Sequence, residues 1–200
     1  MKILITGFDP FGGETINPAT EAVRLLKAPE GVELKKLLNI PTVFGVGQEI
    51  CRRLEEERPD AVICVGQAGG RSGVTVERIA INMRDATISD NRGVCPTDQP
   101  VEPGGKAAYF STLPIKKMVS AMEKAGVPAR VSNTAGTFVC NDLLYTLLSH
   151  IEKQGLPIKA GFIHVPFLPA QVENRQELPS MELSQMATAL EAALASLTGL

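Results

Sequence analysis

The chain has 200 residues, a net charge of −2, 44% hydrophobic residues and 21% charged ones. That balance fits a single catalytic-sized domain over residues 1–200 and excludes extensive disorder. Charges of both signs are scattered, with no basic stripe for nucleic acid, and no apolar stretch is long enough to cross a bilayer.

The opening, Met1-Lys2 and then Ile3-Leu4-Ile5-Thr6, is too short for a secretory apolar region, so a cytoplasmic location with free thiols is expected. Lys2 to Thr6 reads as a buried strand, followed by a Gly/Pro-rich loop from Gly7 to Glu14. Pro18 to Leu26 reads as a helix with Asn17 as its N-cap and Pro18 in its first turn. Val32 to Ile40 is a second strand. Val46, Ile50, Cys51 and Leu54 share one helical face, and Pro59 closes that helix. Asp60 to Gly66 is a continuous apolar run, the pattern of a central parallel strand covered on both faces. Val74 to Asn82 reads as one strand. From Met83 to Gly105 the periodicity is lost, which marks a candidate functional loop. Pro114 to Lys124 is a helix stopped by Gly126, and Ala129 to Ser132 is a strand. Val139 to Lys153 is a helix with Leu143, Leu144, Leu147, Leu148 and Ile151 on one face. Lys159 to Val165 is a strand, and Ser180 to Leu197 is the closing helix. Alternation of this kind predicts a mostly parallel sheet with helices on both sides, and in such folds sites form at the carboxyl ends of strands.

Four segments fall at or just after those ends: Gly7 to Gly13, Gly66 to Arg71, Thr134 to Asn141, and His164-Val165-Pro166. Cys140 follows a strand and turn and opens a helix, where the helix N-terminus and nearby amides favour a thiolate. The alternative for Cys140 is a small buried hydrophobe. Cys51 and Cys64 lie inside apolar patterns and read as structural, while Cys95 sits in the long loop. No C-x-x-C pair occurs and only two histidines are present, so no metal or zinc site is expected. A nucleophilic thiol needs a proton acceptor. His150 lies at the end of a helix, where an imidazole complements the dipole. His164 ends an apolar strand with no local structural task and points into the presumed cleft, the alternative being a satisfied core histidine. A third group should orient the imidazole. Glu77 is the leading candidate, with a Glu77–Arg78 surface pair as the alternative and Asp85 and Asp90 as competitors. The glycine-rich segments match no phosphate-loop pattern and are better suited to close backbone approach to a substrate.

Taken together the segments resemble the pyroglutamyl-peptidase I (pyrrolidone-carboxylate peptidase) family of cysteine peptidases. The resemblance rests on Thr6 to Gly13 with Asn17-Pro18, Val65 to Arg71, Glu77 to Asn82, Ala108 to Lys116, Ser132 to Asn141, and Gly161 to Pro166, in that order. It implies an α/β/α three-layer sandwich, phosphorylase/hydrolase-like, with a mostly parallel central sheet, often assembled as a homotetramer or dimer. It implies a triad of Glu77, Cys140 and His164 acting without metal or organic cofactor on peptides that begin with pyroglutamate. It further implies that Phe8, Phe11, Phe138 and Val139, with Ile88, shape a pocket for the flat pyrrolidone ring. The Gln67 region and the Cys140 amide would form the oxyanion hole, and Asn17 would support the first loop. One departure stands out. Where the family usually reads Ala-Arg-Ile-Pro-Asp-Asn, this chain has Ala86-Thr87-Ile88-Ser89-Asp90-Asn91, so an arginine is replaced by Thr87. Arg84, three residues earlier, is the candidate to compensate.

Overall fold

The computed structural model describes residues 1–198; the last two positions of the expected 1–200 domain lie outside the described residues. Strand β1 (Lys2–Phe8) is followed by helix α1 (Pro18–Leu25), β2 (Glu33–Ile40), α2 (Gly47–Glu57) and β3 (Ala61–Gln67). Next come β4 (Val74–Glu77), β5 (Ile79–Ile81), β6 (Ala108–Phe110), α3 (Ile115–Lys124) and β7 (Ala129–Ser132). The chain ends with α4 (Val139–Lys153), β8 (Lys159–Val165), a short 3-10 turn over Pro169–Val172, and α5 (Leu183–Ala195).

Six strands form one sheet in the order β2-β1-β3-β8-β4-β7, and all neighbours are parallel except β4 against β8. Strand alternation sends side chains to two apolar layers. On one face Ile3, Ile5, Ile63, Val65, Val76, Ile163 and Val165 pack under α1, α3 and α5. On the other, Leu4, Val62, Cys64, Ala160 and Phe162 pack under α2 and α4. The expected three-layer α/β/α sandwich is the observed fold.

Local chemistry accounts for the boundaries. Asn17 Oδ1 accepts the Ala19 N–H at 3.0 Å and Pro18 occupies the first helical position, so α1 starts there. Arg58 takes a left-handed conformation with φ 46° ahead of Pro59 and ends α2.

The stretch from Val74 to Asn82, expected as one strand, is two. The chain leaves the main sheet at Arg78, whose N–H donates to Ser132 O at 2.8 Å. Ile79–Ile81 then pairs antiparallel with Ala108–Phe110 in a separate two-stranded sheet that lies over α4. Tyr109 of that sheet meets Tyr145 of α4 edge-on at 5.0 Å. The long segment between them is irregular, as expected, and is pinned by backbone pairs such as Arg84 with Gln99 and Asp85 with Thr137.

Candidate active site

The site lies on the α2/α4 face of the sheet, where β3 and β8 end. His164 pairs in register with Gly66 of β3 on one side and with Thr75 of β4 on the other. Because β4 runs antiparallel to β8, Glu77 lies two residues past Thr75, toward Phe162, on the same face as His164. His164 Nδ1 is 2.8 Å from Glu77 Oε1, and both side chains are buried. Asp85 and Asp90 are engaged elsewhere. Asp85 Oδ1 accepts from the Asp98 N–H, and Asp90 accepts the Phe44, Arg92 and Val94 N–H groups.

Arg71, to which the sequence gives no evident task, is a further partner of Glu77. Its Nη1 donates to Glu77 Oε1 at 2.5 Å and bonds Thr75 Oγ1, while Nη2 donates to Thr134 O at 3.1 Å. Glu77 Oε2 is buried without a hydrogen-bond partner among the described residues, and the neighbouring Ser132 hydroxyl donates to Thr134 O at 3.0 Å instead.

Cys140 is the second residue of α4. Its Sγ lies 3.0 Å from where a Cβ on Gly66 would stand, and the Phe162 ring lies within 2.8 Å of the same point. Only a glycine at 66 leaves room for both, so the sulfur rests on the strand next to His164. Helix α4 has no side-chain N-cap, since Phe138 precedes it, which leaves first-turn amides free to face the cavity.

The electrostatics of the group are coupled. Burial opposes the charge on Glu77, but the hydrogen bond from His164, its charge and Arg71 outweigh it and hold the carboxyl below its ordinary value. Burial lowers the His164 pKa, against the opposing pull of Glu77. Burial, then the Glu77 charge, pushes the Cys140 thiol up to about 12. These directions favour an ionised Glu77 near neutral pH. An ionised Glu77 can only accept, so Nδ1 carries the imidazole proton and Nε2 is the free base.

A cavity of about 170 Å³ opens over the sulfur, lined by Phe8, Phe11, Asn17, Thr42, Gln67, Ala68, Arg71, Ala135, Gly136, Phe138, Cys140 and His164. Phe138 packs on Phe11 with ring centres 6.0 Å apart. Asn17 Nδ2 donates to Asp9 O at 2.9 Å and fixes the first loop. Gln67 Oε1 accepts from Gln171 Nε2 at 3.0 Å, which leaves the Gln67 NH2 as the free end of that amide.

Two residues assigned to the pocket by resemblance do not line it. Val139 is fully buried in the core under α4, and Ile88 stands 48% exposed on the long loop. Thr87 is exposed on the same loop. Arg84 faces a different cavity, with Gln48, Tyr145 and Lys153, and bonds Asp142 rather than reaching the cavity over Cys140. The guanidinium at the site is that of Arg71. His150 lies away from it, with Nε2 3.2 Å from Glu55 Oε1. Thr42, Ala68, Ala135 and Gly136 are lining residues that sequence reasoning did not assign. No group of three His, Cys, Asp or Glu side chains among the described residues is placed to hold a metal ion.

An α/β/α sandwich with a helix-start thiol, a strand-end imidazole and a buried carboxylate beside it is an arrangement suited to thiol-based acyl transfer, the chemistry of a cysteine peptidase. A family model for pyroglutamyl peptidase matches residues 1–198. Pyrrolidone-carboxylate peptidase from Thermoanaerobacter sp. (strain X514) is 54% identical over 196 residues, covering 97% of this chain and 96% of that relative. The Streptococcus pyogenes serotype M4 (strain MGAS10750) protein of the same name is also 54% identical, covering 97% and 91%. The crystal structure of pyroglutamyl peptidase I from Bacillus amyloliquefaciens superposes with a TM-score of 0.92 at 46% identity, over 98% of this chain and 93% of that one. The chain belongs to the pyroglutamyl peptidase family.

Proposed function

We propose that this chain hydrolyses the bond after an N-terminal pyroglutamyl residue, with Cys140 as nucleophile, His164 as proton carrier and Glu77 as the group that orients it. The observation that carries this is the buried 2.8 Å contact between His164 Nδ1 and Glu77 Oε1, beside a thiol at the floor of a small aromatic cavity.

Pyroglutamate has no free amine, so recognition must rest on ring contacts and on hydrogen bonds to a neutral lactam. Phe8, Phe11 and Phe138 offer the ring contacts and the Gln67 amide a polar one. As Cys140 Sγ attacks the pyroglutamyl carbonyl carbon, its proton passes to His164 Nε2. The imidazolium so formed is stabilised by Glu77. The Cys140 amide, at the uncapped start of α4, donates to the oxyanion, a term worth about 3 kcal/mol in related chemistry. Collapse of the tetrahedral species breaks the C–N bond, and His164 returns the proton to the leaving amine. Water, deprotonated by the same nitrogen, then cleaves the thioester, releasing pyroglutamate and the thiol.

Turnover of a pyroglutamyl arylamide, lost in Cys140→Ala and on thiol alkylation but kept in Cys51→Ser, is the expected result. Full activity in Cys140→Ala would end the reading. We further propose a cytoplasmic location and a homo-oligomer, tetramer or dimer. The four cysteines, all free thiols, accord with a reducing compartment, and no helix among the described residues is long and apolar enough to cross a membrane. Light scattering of the purified chain tests the oligomer, and a monomer mass would remove it.

A further inference from the structure

We propose that Arg84 and Asp142 form a positioning pair that sets affinity for the pyroglutamyl ring by holding Phe44 behind the cavity wall. The inference rests on the activity proposed above.

Asp142 is fully buried in the first turn of α4, two residues after Cys140. A charge so placed needs partners. Oδ1 takes Arg84 Nε at 2.5 Å, and Oδ2 takes the Gly45 N–H at 2.7 Å. The Arg84 guanidinium lies 5.9 Å from the Phe44 ring centre. The Phe44 ring in turn meets Phe138 edge-on, at 5.3 Å and 86°. Phe138 lines the cavity and Phe44 does not, so Phe44 is a support rather than a contact.

The backbone around Phe44 is clamped in the same way. The Thr42 N–H donates to Asp9 Oδ1 at 2.7 Å, and the Phe44 N–H donates to Asp90 Oδ2 at 2.9 Å. With Gly45 on Asp142, three amides of one turn are held by carboxylates from three separate segments: the first loop, the long loop and α4. Gly45 has φ +85°, a conformation that favours glycine, so the turn is shaped for this clamp. Such a turn fixes the Phe44 ring and, through it, the tilt of Phe138 over the substrate ring. Arg84, Asp142 and Phe44 do not line the cavity over Cys140, so their effect belongs to binding rather than to bond breaking.

The test is steady-state kinetics on a pyroglutamyl arylamide with wild type, Arg84→Gln, Phe44→Leu and the double variant Arg84→Gln/Asp142→Asn. The double variant keeps an acceptor for Gly45 and leaves no unpaired buried charge, so it guards against loss of fold. An edge-on aromatic contact of this kind corresponds to about three- to tenfold in affinity, and KM should rise by that factor in all three variants. A pure binding effect leaves kcat and the rate of Cys140 alkylation by iodoacetamide within about threefold. Arg84→Gln combined with Phe44→Leu should raise KM little beyond Phe44→Leu alone, because the two act through one contact. A lowered unfolding midpoint with KM unchanged, or a fall in kcat with KM unchanged, would overturn the inference. Absence of turnover in the wild type would instead overturn the underlying activity, and this inference with it.

Discussion

Glu77 Oε1 serves the imidazole of His164 and the guanidinium of Arg71 at once, with the Thr75 hydroxyl at 3.5 Å. His164 and, to a smaller extent, Arg71 favour the ionised carboxylate, and the ionised carboxylate fixes the imidazole tautomer. Glu77→Gln should therefore leave the fold and substrate binding in place while lowering kcat by about a thousandfold or more, since an amide permits the wrong tautomer and cannot stabilise an imidazolium. Glu77→Asp, with the charge set back by one methylene, should fall between. Near-normal kcat in Glu77→Gln would remove Glu77 from the proposed triad. Gly66 supplies a second prediction at this scale. A methyl group there would collide with Cys140 Sγ and the Phe162 ring, so Gly66→Ala should slow both turnover and alkylation of Cys140. Unchanged alkylation would show that the sulfur does not rest against Gly66. Glu77 stands out in the sequence as a charge inside a strand-like run and the family resemblance points to the same residue, although positions 87 apart leave no local pattern for the contact itself. The Arg71 link was not legible, since an arginine after two glycines reads equally well as a solvated loop residue.

Helix α4 carries Cys140, the supporting Asp142 and, between them, Asn141. The Asn141 side chain is fully buried. Its Nδ2 donates to Ile81 O and Met83 O, and its Oδ1 accepts the Ile81 N–H, each at 2.9 Å. It thus joins the helix to the start of the long loop. Asn141→Ala should destabilise the chain by about 3 kcal/mol, one for each lost hydrogen bond, read as a lower urea midpoint. An unchanged midpoint would mean that the loop holds itself. At this scale α4, β7 and β8 matched their expected limits, because strong apolar patterns there end at Gly155, at a turn and at Pro166. The split of β4 from β5 escaped detection. Val74 to Asn82 is β-prone throughout, and what bends it is the tertiary pairing of Arg78 with Ser132. Strand β6 has only three residues and no periodicity to find.

For the molecule as a whole, the buried ionisable pair couples folding to pH. Burial sets the His164 pKa below its ordinary 6.5, so on acidification the unfolded chain takes up that proton first. Stability present above the ordinary value is therefore lost as pH falls below it. Glu77 acts in the same direction at lower pH, since its folded pKa lies below the ordinary 4.5. One proton of difference corresponds to about 1.4 kcal/mol per pH unit. Unfolding free energy should fall from pH 6.5 toward pH 5, and the slope should flatten in His164→Gln; equal slopes would assign the effect to other groups. The antiparallel seam between β8 and β4 carries a different consequence, one of timing. Strand β8 enters the middle of the sheet although it is made after β4, α3, β7 and α4. Loop closure over such separations is slow compared with forming helices. During refolding, helical circular dichroism should therefore recover before peptidase activity, and an emerging chain that has not yet presented residues 159–165 would lack His164 and so have no working thiol. Synthesis itself would then keep the hydrolase silent until nearly the last helix.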